Sequence, residues 1–82
     1  MWYIYALYSK DFDRIYVGMS ENPERRLENH NNYKVKSTKA YVPWKIIMIQ
    51  EAGDVENARR LEKYYKAASG RRKIKKTYLK IL

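Results

Sequence analysis

The stretch Trp2-Tyr3-Ile4-Tyr5-Ala6-Leu7-Tyr8, then Ser9-Lys10-Asp11-Phe12-Asp13, then Arg14-Ile15-Tyr16-Val17-Gly18-Met19 decides how this chain folds. Its first part is β-branched or aromatic with small fillers, which suits a strand. The middle five residues are turn-like. The last part resumes an extended pattern, with Ile15, Val17 and Met19 on one side and Tyr16 on the other. So tight a connection predicts an antiparallel hairpin. A loop of Ser9 to Phe12 sets Tyr5 directly opposite Tyr16, a pairing conditional on that loop because a one-residue slip breaks it.

Outward from the hairpin the punctuation is clear, since the chain has only three Gly and two Pro. Ser20-Glu21-Asn22-Pro23 opens a short helix, with Pro in the first turn where its missing N–H costs nothing. That helix is expected to end among Asn29 to Asn32, and residues 33–42 read as a loop. Trp44 to Ile49 is apolar almost throughout, which predicts a strand covered on both faces. Asp54 caps a second helix whose stripe runs Val55, Ala58, Leu61, Tyr65 and Ala68, with Gly70 as its stop. Arg71 to Leu82 reads as a last basic helix anchored by Ile74, Tyr78 and Ile81. The order β-β-α-loop-β-α-α predicts an α+β layer fold, a three-stranded antiparallel sheet flanked by helices.

With 82 residues the chain has room for one small domain, residues 1–82, and not for two. It has no cysteine and one histidine, which excludes a disulfide framework and a Cys- or His-cluster metal site. No apolar run reaches the ~18–20 residues that cross a bilayer. The start lacks the basic segment and cleavage site of a secretory leader, so a soluble, cytoplasmic protein is expected.

Charge is uneven. Residues 1–58 carry eight Lys/Arg and eight Asp/Glu, whereas residues 59–82 carry ten Lys/Arg and one acid, Glu62. The whole excess of +9 therefore sits in the last quarter, which points to a polyanionic partner, nucleic acid before membrane. A solubilising tail has the same composition.

Three groups could carry chemistry. With Val55 at zero and ~100° per residue, Glu62 falls at about 340°, projecting from the apolar arc between Ala58 and Val55. Such a carboxylate is either an edge residue paired with Arg59 or Lys66, or one held for a metal. Arg26 and His30 lie four apart on the inward side of the first helix. There they are either a snorkelling Arg with a hydrogen-bonded His, or a phosphate fork with an imidazole. Tyr3, Tyr5, Tyr8 and Tyr16 crowd the hairpin, where each alone is ordinary packing but two facing phenols beside an Arg are less so.

Tyr3-Ile4-Tyr5, Tyr16-Val17-Gly18 eleven residues on, the helix Asn22 to His30, and Ala58-Arg59-Arg60-Leu61-Glu62-Lys63-Tyr64-Tyr65-Lys66 together resemble the GIY-YIG nuclease family. The order is right over nearly the whole chain, and the likeness is nearest to small members related to the N-terminal nuclease module of bacterial excinuclease C. Tyr3 stands where the first motif usually has Gly, and Val17 where the second has Ile. A late Asn found in several members has no clear counterpart after Glu62.

The resemblance implies a divalent-metal-dependent DNA endonuclease. Glu62 would hold a single Mg²⁺ or Mn²⁺, Arg26 the scissile phosphate, Tyr16 the proton of the attacking water, and Tyr5 the phosphate or water. Ionising a phenol of pKa ~10 at pH 7 costs about 4 kcal/mol, which Arg26, His30 or a loop lysine such as Lys39 would offset. Arg59, Lys63, Lys66, Arg71, Arg72, Lys73, Lys75 and Lys76 would neutralise phosphates away from the cut. Nothing resembles a base-reading element, so branched, nicked or flapped DNA, a role in DNA repair or recombination, and a protein partner supplying specificity are the corresponding expectations. The rivals are a catalytically inactive nucleic-acid-binding module of the same fold, and a domain docking an acidic protein through residues 59–82. The basic segment has too little apolar face for a membrane role.

Overall fold

β1 (Trp2–Ser9) lies at the centre of a three-stranded antiparallel sheet, between β2 (Arg14–Ser20) and β3 (Lys45–Gly53). The computed structural model describes residues 1–79, so the expected anchor Ile81 lies outside the described residues. The hairpin turn is Lys10 to Asp13, one residue later than expected, because Ser9 pairs with Arg14 and Asp13 takes the left-handed conformation at φ 49°. Tyr5 accordingly pairs with Gly18, and Tyr16 with Leu7. The register is shifted by two from the expected one. With a side-chain period of two, that shift leaves both phenols on the same face as diagonal neighbours.

Pro23–Asn31 forms α1, capped by the Asn22 side chain accepting from the Arg25 N–H at 3.2 Å. Asn31 then clamps the backbone of Trp44: its Oδ1 accepts from the Trp44 N–H at 2.7 Å and its amide donates to the Trp44 carbonyl at 3.0 Å. The loop between them holds one 3₁₀ turn, Lys39–Tyr41. α2 (Val55–Lys66) is capped by Asp54, which accepts from the Asn57 N–H at 2.8 Å.

Each face of the sheet has its own core. Ile4, Ala6, Val17, Met48 and Ala52 meet Ala58 of α2 and Ile74, while Tyr5, Leu7 and Trp44 pack with Tyr16, Leu27 and Ile46 under α1. A bulge between Ala6 and Leu7 shifts the β3 register, so that Ile47 joins Met48 on the α2 face. β3 is not covered on both faces: Ile49, beside Tyr5 in the register, is 45% exposed. It lies on an edge strand of the sheet.

Gly70 does not stop α2. The helix ends at Lys66, the chain turns at Ala67, and α3 (Ala68–Ile74) holds a buried Gly70 in its middle. A Cβ there would collide with the Tyr64 carbonyl and lie 2.7 Å from the Tyr65 Cα, so glycine lets α3 fold back against the end of α2. In place of one basic helix, α3 gives way to a π-helical turn, Lys75–Leu79; of the two expected anchors among the described residues, Ile74 is buried and Tyr78 is exposed. Among the described residues no helix is long and apolar enough to cross a membrane.

Candidate active site

Four elements deliver polar groups to the β2 side of the molecule. β1 supplies Tyr5, β2 Tyr16, α1 Arg26 and His30, and α2 Glu62 with Lys66. The rings of Tyr5 and Tyr16 are 6.3 Å apart, with His30 at 6.0 Å from the first and 4.8 Å from the second. Such closeness depends on Gly18: a Cβ there would stand 2.6 Å from both Cζ and Oη of Tyr5 and 3.0 Å from the Tyr16 ring. The glycine of Tyr16-Val17-Gly18 is thus the floor on which the Tyr5 ring lies.

His30 is fully buried, and both ring nitrogens are satisfied. Thr38 Oγ1 donates to the Val35 carbonyl at 3.3 Å, which uses its single hydrogen. It therefore accepts from His30 Nδ1–H at 2.8 Å, leaving Nε2 bare to accept the Tyr5 hydroxyl at 3.0 Å. Burial, with the Arg26 guanidinium one turn away, drives the imidazole pKa down to about 4, so it is neutral at pH 7. His30 consequently adds no positive charge to the site; what it offers a phenol is a neutral nitrogen on the Tyr5 hydroxyl.

Tyr5 is pushed the other way. Burial raises its phenol above the ordinary value; Arg26 beside it pulls back, while Tyr16 and Glu62 add to the rise. Tyr5 therefore stays protonated at neutral pH. Tyr16 differs: it is half-buried, and among the described residues its hydroxyl makes no hydrogen bond. The cation over its ring is Lys66, 5.9 Å from the centroid, whereas Lys39 stands exposed on its 3₁₀ turn.

Glu62 points neither into the core nor into bulk solvent. Its side chain is 25% exposed and its carboxylate sits 3.5 Å from the Lys66 ammonium. Lys66 thereby links the acid of α2 to the ring of Tyr16. The groups are neighbours without lining one common cavity: the hollow beside Tyr16, about 160 Å³, is bounded by Ile15, Val17, Lys66 and Arg71. Among the described residues there is no cluster of three or more His, Asp or Glu side chains that could cage a metal. A lone, partly exposed carboxylate nevertheless fits an ion that takes one or two carboxylates and fills its remaining positions with water and phosphate oxygens.

Thr38 and the linking role of Lys66 escape the sequence reading. Thr38 lies in a stretch with no hydrophobic period, and nothing in the sequence couples it to His30. The other cations expected to meet phosphates, Arg59, Lys63, Arg71, Arg72, Lys73 and Lys76, are all exposed, with Lys75 half-buried.

A hairpin with two phenols on one face, an arginine helix above it and a glutamate helix behind it form the arrangement that the resemblance to the GIY-YIG nucleases implies. The sequence model of the GIY-YIG catalytic domain matches residues 1–76, and the chain belongs to that family. Membership makes it a member of a family of nucleases, phosphodiester hydrolases that act on nucleic acid and generally use divalent metal ions. No curated protein and no solved structure matches the chain.

Proposed function

We propose that this protein is a divalent-metal-dependent DNA endonuclease that selects substrates by shape. The observation that carries the reading is the gathering of Tyr5, Tyr16 and His30 within 4.8–6.3 Å of one another, ring to ring, with Lys66 joining Tyr16 to Glu62. Arg26 offers a planar fork to the scissile phosphate and meets its growing charge. With its hydrogen committed to His30, Tyr5 can only accept, so it holds the attacking water and not a phosphate oxygen. Tyr16 is the phenol left free to act as base: its own proton leaves to solvent, and the phenolate oxygen then takes the proton of the attacking water. Negative charge arising on its oxygen would face the Lys66 ammonium.

Glu62 is the residue that would hold Mg²⁺ or Mn²⁺, in place of its present partner Lys66. Bound there, the ion would supply Lewis-acid stabilisation of charge on the phosphate and the departing 3′-oxygen. Because nothing in the sequence resembles a base-reading helix or finger, nicked, flapped or branched DNA is the proposed substrate, with repair or recombination in the cytoplasm as the setting and a protein partner able to add specificity.

The test is cleavage of nicked and flapped duplexes by purified protein with Mg²⁺ or Mn²⁺. Metal-dependent products lost in Glu62→Gln, with an unchanged melting temperature, are expected. Unimpaired cleavage by that variant removes Glu62 from the mechanism. The missing late Asn favours a second reading, a binding module without catalysis, which predicts duplex binding and no products at any metal concentration.

A further inference from the structure

Along the β2 edge lies a second hollow of about 420 Å³, next to the one beside Tyr16. The two share Ile15 and Arg71, so they form one continuous strip. The larger hollow is lined by Arg14 of β2, Arg71 and Arg72 of α3, and Lys75 of the π-helical turn, against a single carboxylate, Asp13. That carboxylate is already engaged, accepting from the Tyr8 hydroxyl at 3.0 Å and facing the Lys75 ammonium at 3.4 Å. The Arg14 guanidinium stacks on the Tyr41 ring at 4.3 Å. Stacking uses its face and leaves the N–H edge for an oxyanion. By contrast, the hollow on the outer side of α1 sets Glu24 and Glu28 against Arg25 and Lys34, and carries no excess of positive charge.

The local reason is the turn at Ala67, with Gly70 closely packed behind it. Without that turn, Arg71 and Arg72 would continue the α2 axis into solvent. With it, they lie beside β2. Rigid arginine forks drawn from separate elements, next to a candidate phosphodiester centre, suit a phosphate in particular.

We propose that this hollow is a backbone-phosphate subsite for the strand bound at the Tyr16 centre, so that the strand leaves along β2 and α3 and not across α1. The proposal rests on the nuclease reading and adds the direction of the substrate and a new contact, Arg14. It calls for no base contact, since phosphate contacts position a strand without reading it.

Binding of a fluorescein-labelled nicked duplex, measured by anisotropy in EDTA across a KCl series, tests it without any need for cleavage. Arg71→Ala/Arg72→Ala is expected to reduce the slope of log K against log salt by about 2, and Arg14→Gln, on a different element, by about 1. The charge-matched control Lys10→Ala/Lys45→Ala, at exposed positions bordering a different hollow, is expected to leave the slope unchanged. A neutral methylphosphonate scanned through the strand should weaken wild-type binding on one flank, and that penalty should vanish in the α3 double variant. Equal losses in the control pair, or a penalty that persists in the double variant, overturn the subsite. Absence of metal-dependent cleavage by the parent protein would overturn the nuclease reading while these slopes stand. Absence of duplex binding at the lowest salt overturns both.

Discussion

The two faces of one sheet solve opposite problems. Under α2 and α3 the buried set is Ile4, Ala6, Val17, Met48, Ala52, Ala58 and Ile74, all apolar, and its stability is a matter of area and fit. Under α1 the buried set includes Tyr5, Trp44, His30 and Thr38, which are tied to one another: Tyr5 to His30, His30 to Thr38, and the Trp44 indole to the Thr38 carbonyl at 2.9 Å. The exception is the buried Ser9 hydroxyl, which has no hydrogen-bond partner among the described residues. A polar group can be buried without large loss only when its partners are fixed. The α1 face therefore trades apolar area for fixed direction, which a phosphodiester site needs and a core does not.

The sharpest way to separate the faces is Tyr16→Phe. It should remove about 10²–10⁴ of the cleavage rate while leaving duplex affinity and melting temperature near the parent's. Full activity in that variant would return Tyr16 to packing. The opposite pattern is expected on the other face, where Ile74→Ala should cost about 2–5 kcal/mol of stability, read as a lowered midpoint in urea. The folded fraction should cleave at the parental rate, and a specific loss of rate would mean that the two faces are coupled.

Acid should act on the α1 face first. The folded-state pKa of His30, about 4, lies below its ordinary 6.5, so the neutral form is favoured by folding. Its contribution is complete above pH 6.5 and is lost as pH falls toward 4, by up to about 3 kcal/mol. Urea midpoints of the parent and of His30→Gln, measured between these pH values, should differ in slope. Parallel curves would show that His30 is not the titrating group. In the same window Thr38→Val removes the acceptor of Nδ1–H, costing about 1–3 kcal/mol, and ¹⁵N chemical shifts of His30 should register a change of tautomer population.

Much of this was legible from residue order. The hairpin, the Asn22 and Asp54 caps and the stripe of α2 follow from local chemistry, and Glu62 could be placed at the rim of that stripe by helical geometry alone. The failures share a cause. The two-residue register shift turns on Asp13 adopting a left-handed conformation; the exposure of Ile49 goes with the place of β3 at the sheet edge. Gly70 is a contact between helices and not a terminator, because local rules read glycine as a break and cannot see a neighbouring backbone.

Sequence by itself determined the family, the order of elements and the residue types available for chemistry, since periodicity, capping and motif spacing are properties of neighbouring positions along the chain. Tertiary structure alone decided which phenol is tied and which is free, that the cation over Tyr16 is Lys66, that His30 is neutral, and that the basic end folds back along β2. Those outcomes depend on burial and on distances between groups far apart in the chain, such as Tyr5 and His30, Tyr16 and Lys66, and Asp13 and Lys75.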